Sequence, residues 1–362
     1  MAITFVDIGL NENILRSLKD LGFTQPTPIQ EKCIPFLLEK DIDLIALAQT
    51  GTGKTAAFSL PILQKCDASQ KHTQAIILSP TRELCLQICN DINSFTKYMP
   101  RISTLAVYGG SNISTQIRAL RNGVHIVVGT PGRTVDLINR GKLKLQNVNY
   151  LVLDEADEML SMGFQDSLNA ILEVTSINRQ TVLFSATMPR EIRRISKKYM
   201  NEPQEISVVT DNKSTTNVSH EYYVTYEKNR YEVLKRLADF NPNIYSIVFC
   251  RTRMETQKVA DKLIQDGYSA ESIHGDLSQI QRDMVMKKFR KKKVQMLVAT
   301  DVAARGIDVE DLTHVINYNL PDSLEAYVHR SGRTGRADKN GVCITIINAR
   351  ENSRIRQVER KI

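Results

Sequence analysis

No apolar run in this chain of 362 residues approaches the ~20 residues that a membrane span needs. Met1 to Gly9 hold no basic segment followed by an apolar core, so no secretory signal is expected. The six cysteines, at 33, 66, 85, 89, 250 and 343, form no CxxC pair. Cys85 and Cys89 have no His or second Cys pair nearby to complete a metal site. Free, buried thiols are therefore expected, in a reducing compartment, which points to the cytoplasm. Short repeats and low-complexity segments are also missing. What remains is an ordinary globular composition, 42% hydrophobic and 24% charged, long enough for two packed domains.

The formal net charge is +8, and it is uneven. Residues 1–212 hold 22 basic and 21 acidic side chains, while residues 213–362 hold 26 and 19. A mildly basic second half suggests a polyanion partner.

Short apolar runs rich in β-formers alternate with helical patterns. They fall at Leu44–Ala48, Ala75–Leu78, Ile102–Val107, Ile126–Val128, Leu151–Leu153 and Thr181–Phe184 in the first half. In the second they fall at Ser246–Cys250, Ala270–Ile273, Gln295–Val298, His314–Asn317 and Cys343–Ile347. Continuous apolar strands alternating with helices predict an α/β protein with parallel, doubly wound sheets. Each half has its own set, so two domains are predicted, residues 1–209 and 218–362. The polar stretch 210–217 (TDNKSTTN) reads as a linker.

The string Ala48-Gln49-Thr50-Gly51-Thr52-Gly53-Lys54-Thr55 follows one apolar strand and precedes a helical run. That is the context of a phosphate-binding loop. Its glycines allow backbone N–H groups to converge on phosphate oxygens, at a helix N-terminus that adds positive potential. Lys54 suits the β/γ-phosphates of ATP, and the Thr55 hydroxyl suits Mg²⁺. Ala48 stands where the pattern usually has glycine. Asp154-Glu155-Ala156-Asp157 follows another buried strand. A carboxylate there lies near the phosphate loop, with Asp154 able to hold Mg²⁺ and Glu155 able to deprotonate water.

With Lys54-Thr55 and a literal D-E-A-D in one chain, the sequence resembles the DEAD-box ATP-dependent RNA helicases over essentially its whole length. Within that family its phrasing is nearest the bacterial cold-shock DeaD/CsdA type. The resemblance implies two tandem RecA-like domains, each a parallel sheet with helices on both faces. It implies a Q motif at Thr24–Gln30, in which Gln25 and Gln30 address the adenine and Phe23 stacks on it, with an isolated Phe5 upstream. Thr50, Gly51, Thr52, Gly53, Lys54 and Thr55 would hold the phosphates. Ser185-Ala186-Thr187 resembles the coupling motif, whose hydroxyls can bond Asp157. Pro80, Arg82, Gly110, Thr130 and Arg133 sit at strand ends and are assigned to RNA.

The second half carries no second phosphate loop. The resemblance assigns Arg251, Thr252, Gly275, Gln279, Arg282 and Thr300 to RNA, Gly306 and Asp308 to the nucleotide, and His329 to a link with the first domain. Arg333 and Arg336 would be arginine fingers. Arg330, Arg333 and Arg336 are spaced to share a helical face, but the interleaved Gly332 and Gly335 argue for close approach to a ligand instead. The basic run Lys287–Lys293 reads first as a solvated helix end. The activity implied is RNA-stimulated ATP hydrolysis, with Mg²⁺, coupled to domain closure and local unwinding of short RNA duplexes. Ribosome assembly, RNA decay or cold adaptation is the implied setting, with ribosomal or RNA-decay complexes as partners. An ATP-gated RNA clamp and a translocating DNA helicase are the competing readings. The ending at Ile362 suggests a helicase core cut from something longer.

Overall fold

A computed structural model describes residues 3–49, 51–208, 217–304, 307, 309, 311–335 and 339–362. The chain divides into two compact units, residues 1–209 and 210–362.

Unit 1 is built on seven strands: β1 (Leu44–Leu47), β2 (Ala75–Leu78), β3 (Thr104–Val107), β4 (Ile126–Gly129), β5 (Tyr150–Leu153), β6 (Gln180–Ser185) and β7 (Gln204–Ser207). Their order across the sheet is β3-β4-β2-β5-β6-β1-β7, and every pairing is parallel. Successive strand residues point to opposite faces, and both faces are apolar. Leu44, Ala46, Ile77 and Phe184 face one core, closed by α1 (Glu12–Asp20), α2 (Pro28–Glu39), α3 (Lys54–Lys65) and α4 (Arg82–Phe95). Ile45, Ile76, Leu78 and Leu183 face the other. It is closed by α5 (Ile113–Arg121), α6 (Pro131–Asn139), α7 (Ala156–Ser161), α8 (Gln165–Val174) and α9 (Arg190–Tyr199).

Unit 2 has six strands: β8 (Val218–Val224), β9 (Ser246–Phe249), β10 (Ala270–Ile273), β11 (Met296–Ala299), β12 (His314–Asn317) and β13 (Gly341–Ile347). The order is β10-β11-β9-β12-β13-β8, again all parallel. Helices Arg230–Phe240 and Arg253–Gln265 cover one face. Helices Gln279–Arg290, Leu324–Ser331 and Asn352–Glu359 pack on the other.

Two strands escape the sequence patterns. β7 (QEIS) and β8 (VSHEYYV) lie at sheet edges with much of their surface exposed, so neither shows a continuous apolar run. Ile102, expected to open β3, instead belongs to a turn, its N–H donating to Met99 O at 3.0 Å. All six cysteines are free, as composition suggested. Burial pushes the Cys33 thiol up to about 12 and Cys89 to about 11, so both stay protonated and unreactive at neutral pH.

Candidate nucleotide and nucleic-acid site

The parallel sheet of unit 1 collects the motifs along one edge. At the carboxyl ends, in spatial order, stand Gly109-Gly110 after β3, Thr130–Arg133 after β4, Pro80–Arg82 after β2, Asp154–Asp157 after β5, Ser185–Thr187 after β6 and the phosphate loop after β1. Ligands bind at this edge of such sheets. The phosphate loop after β1 and the turns after β6 and β5 form one half of the edge, and the expected RNA contacts form the other.

In the loop, Gly51 (φ 80°) and Gly53 (φ 87°) take left-handed backbone that β-carbons disfavour. Gly53 caps α3, so Lys54 begins the helix. Its side chain is only 7% exposed, and the ammonium donates to Ala48 O at 3.4 Å and lies 4.0 Å from Asp154 Oδ1. The Thr52 hydroxyl donates to Gln49 O at 2.8 Å, tightening the turn. Thr55 is half-buried in the first turn of α3, and Thr50 lies outside the described residues.

Asp154 is buried. Burial raises its carboxyl to about 6, against the opposing pull of Lys54. Glu155 adopts φ 50° and caps α7, a left-handed conformation that costs energy in a non-glycine residue. Its N–H donates to Asp154 Oδ1 at 3.0 Å. Asp157 accepts both the N–H (2.9 Å) and the hydroxyl (2.8 Å) of Thr187. The Ser185 hydroxyl, expected to reach Asp157 too, instead donates to Thr187 O at 2.6 Å. Ser185 ends a fully buried strand, so its hydroxyl finds the nearest carbonyl of the turn. Among the described residues no cluster of His, Cys, Asp or Glu could hold a metal unaided. A cation here would need substrate oxygens as further ligands.

The Q-motif residues lock onto this loop. Thr27 N–H donates to Gln30 Oε1 (3.0 Å), closing the start of α2. Gln30 Nε2 donates to Gly53 O at 3.0 Å, and the Thr27 hydroxyl donates to Thr52 O at 2.8 Å. Both ends of the Gln30 amide thus already bond the protein. Phe23 is half-exposed and meets Phe5 and Phe95 edge-on at 6.2 and 6.0 Å. Gln25 is exposed.

Along the other half of the edge, Pro80 and Thr130 are buried and Arg82 is partly so. The Arg82 guanidinium lies against Gly110 so closely that a β-carbon there would overlap it. Arg133 points inward as much as outward. It donates to Ser111 O at 3.3 Å and to Gln116 Oε1 at 2.9 Å, and Gln116 Nε2 donates to Tyr108 O at 3.2 Å. Arg133 and Gln116 therefore brace the glycine doublet. Gln116 was missed in the sequence because its partners lie on other elements.

In unit 2 the expected residues again leave strand ends. Arg251, Thr252 and Gly275 are exposed, and Gln279, Arg282 and Thr300 partly so. Thr252 caps the helix Arg253–Gln265, accepting from Glu255 N. Arg282 donates to Ala303 O, and Gln279 Nε2 to Asp283 Oδ1 at 2.9 Å. The interleaved glycines break the helical spacing of Arg330 and Arg333, in line with the sequence reading. The helix Leu324–Ser331 ends with Gly332 as its cap, and Gly335 takes φ 68°, so Arg333 lies beyond it. Arg333 is 8% exposed and donates to Ile307 O at 3.1 Å. Arg330 is buried in a two-pronged pair with Asp301 (2.6 and 2.7 Å) and bonds Asn317 Oδ1 and Asn319 O. His329 is half-buried on the same helix. Gly306, Asp308 and Arg336 lie outside the described residues. In the basic run, Lys288 pairs with Glu271 and Lys292 with Asp311, as for a solvated helix end.

The chain is similar to known proteins over nearly its whole length. A DEAD/DEAH box helicase family matches residues 27–195, and the helicase conserved C-terminal domain family matches residues 229–338. The chain is 46% identical to the DEAD-box ATP-dependent RNA helicase CshA of Geobacillus kaustophilus, over 99% of this chain and 76% of the relative. It is 49% identical to the ATP-dependent RNA helicase CshA of Listeria monocytogenes, over 98% and 68%. S. cerevisiae Dbp5 bound to RNA and ADP BeF3 superposes with a TM-score of 0.90 at 31% identity, covering 99% of this chain and 93% of that one. Mss116p bound to ssRNA and AMP-PNP gives 0.89 at 29% identity, covering 99% and 78%. Two parallel-sheet units of the RecA-like type, carrying both family domains, place this chain among the DEAD-box ATP-dependent RNA helicases.

Proposed function

We propose that this helicase uses ATP hydrolysis to separate short RNA duplexes locally, without processive travel. The observation that carries the reading is the shared edge of unit 1, with the phosphate loop, the coupling turn and the acidic turn after β1, β6 and β5 beside the backbone-binding candidates after β2, β4 and β3. Lys54 and the loop N–H groups bind the phosphates of ATP. Gln30, Gln25 and Phe23 address the adenine. Glu155 orients the attacking water and takes its proton. Thr55 and Asp154 would hold Mg²⁺, a hydroxyl and a buried carboxylate being the oxygen ligands such an ion prefers. Bound Mg²⁺ would neutralise charge on the phosphates. Arg333 and Arg336 supply charge to the transferring phosphoryl, an effect worth roughly 10³–10⁵ in rate. Gly306 and Asp308 complete the nucleotide contacts, and His329 links the units. Asp157 and Thr187 carry the hydrolysis state into the protein backbone.

RNA lies along Pro80, Arg82, Gly110, Thr130 and Arg133 of unit 1 and along Arg251, Thr252, Gly275, Gln279, Arg282 and Thr300 of unit 2. These are backbone contacts without sequence reading. ATP and one RNA strand together bring the two units into a closed, bent-strand state, and hydrolysis reopens it. Structured RNA in ribosome assembly, RNA decay or cold adaptation, within ribosomal or decay complexes in the cytoplasm, is the setting that fits. The test is ATPase turnover and displacement of a short RNA duplex for wild type and Glu155→Gln. We expect both activities of Glu155→Gln to fall by at least 10²-fold with ATP binding retained. Unchanged turnover refutes the base assignment. Strand retention without displacement by the wild type would favour a clamp.

A further inference from the structure

Helix α9 departs from the coupling motif and carries a charge pattern that no motif uses. Ile192, Ile195 and Ser196 are buried against unit 1. On the outer side stand Arg190, Arg193, Arg194 and Lys197, all exposed. Their spacing, i, i+3, i+4, i+7, puts them in one stripe. Lys198 lies off the stripe and pairs with Glu173 at 3.2 Å. Among the described residues none of the four stripe cations has a carboxylate partner.

This arrangement works against the stability of the helix. Three of the four cations sit in its first half, where the dipole favours anions, and like charges face each other at i, i+4. The run Lys287–Lys293 is different, because it gathers at the C-terminal end of its helix and two of its lysines are paired.

We propose that the stripe Arg190–Arg193–Arg194–Lys197 is a docking surface for the phosphate backbone of RNA outside the core groove, gripping the flanking helical part of a structured RNA. This rests on the RNA reading of the proposed function. Three of the four cations are arginines, whose planar fork matches phosphate oxygens. The stripe begins at the carboxyl edge, one loop from Ser185–Thr187, and so continues the edge that carries the other phosphate-binding candidates. It extends about 10 Å along the helix axis. A membrane surface fits poorly, since the apolar face of the helix is already buried in the core and has nothing to insert.

The test compares wild type with Arg193→Gln/Arg194→Gln/Lys197→Gln by fluorescence anisotropy across a salt series. The probes are a tailed RNA hairpin and a short single strand. Hairpin binding should weaken at least tenfold near 0.1 M salt, and its log–log salt slope should flatten by about 2 to 3. ATPase turnover at saturating short single strand should stay at the wild-type level. An unchanged hairpin affinity and salt slope overturns the proposal. Arg193→Lys/Arg194→Lys, which keeps the charge, should retain the wild-type salt slope and lose only the part of the affinity that the planar fork adds. Failure of RNA to stimulate the wild-type ATPase would count against the proposed function alone, because the salt slopes still decide the stripe.

Discussion

Gly53→Ala tests how the phosphate loop is held. At φ 87° an alanine costs about 1–2 kcal/mol for the left-handed backbone alone. Its β-carbon would also overlap Gln30 Nε2 and stand 3.1 Å from the Thr27 hydroxyl. Gln30 must then leave, forfeiting its bonds to Gly53 O and Thr27 N, at about 1 kcal/mol each. The expected total is about 3–4 kcal/mol. In a Gln30→Ala background the clash partner is gone, so Gly53→Ala should cost only the backbone part. Urea unfolding of the wild type, both single variants and the double variant closes this cycle. The coupling should be about 2 kcal/mol, the two bonds that Gln30 forfeits. Costs that add to within about 0.3 kcal/mol would refute the packing argument.

Two further outcomes follow from unit 2. Arg330→Ala removes a buried guanidinium that makes four hydrogen bonds, and should lower the stability of unit 2 by about 3–5 kcal/mol. Hydrogen exchange in β11 and β12 reads it, and unchanged protection there refutes it. His220 and His314 are both held below the usual histidine range by burial, so each favours the fold in its neutral form. That stability is present above about pH 6.5 and is lost as pH falls through the depressed values. His220→Phe should lose less stability than wild type between pH 7 and pH 5 in urea unfolding, and parallel curves would contradict this.

Much of the site is local and therefore legible in the linear chain. Gly51, Gly53, Lys54 and Thr55 declare themselves because a phosphate loop needs its glycines and its cation within a few residues of a helix start. Asp154 and Thr187 are legible because each closes a buried apolar strand. The edge strands β7 and β8 were hidden, since half of each faces water and the apolar pattern breaks. The basic stripe on α9 is visible as a helical period but belongs to no motif, so only the burial of Ile192 and Ile195 shows which side faces out.

The sequence by itself determined two α/β halves, their strand-forming cores and the chemistry available at each strand end, because these depend on residues adjacent in the chain. The tertiary structure decided which ends become neighbours. It placed β1 between β6 and β7, brought Lys54 within 4.0 Å of Asp154 a hundred residues away, tied Thr187 to Asp157 and turned Arg133 toward Gln116. It also ended the helix at Ser331, so that Arg330 is buried against Asp301 while Arg333 bonds Ile307. Strand order and side-chain partners are set by packing the whole sheet at once, and no local pattern encodes them.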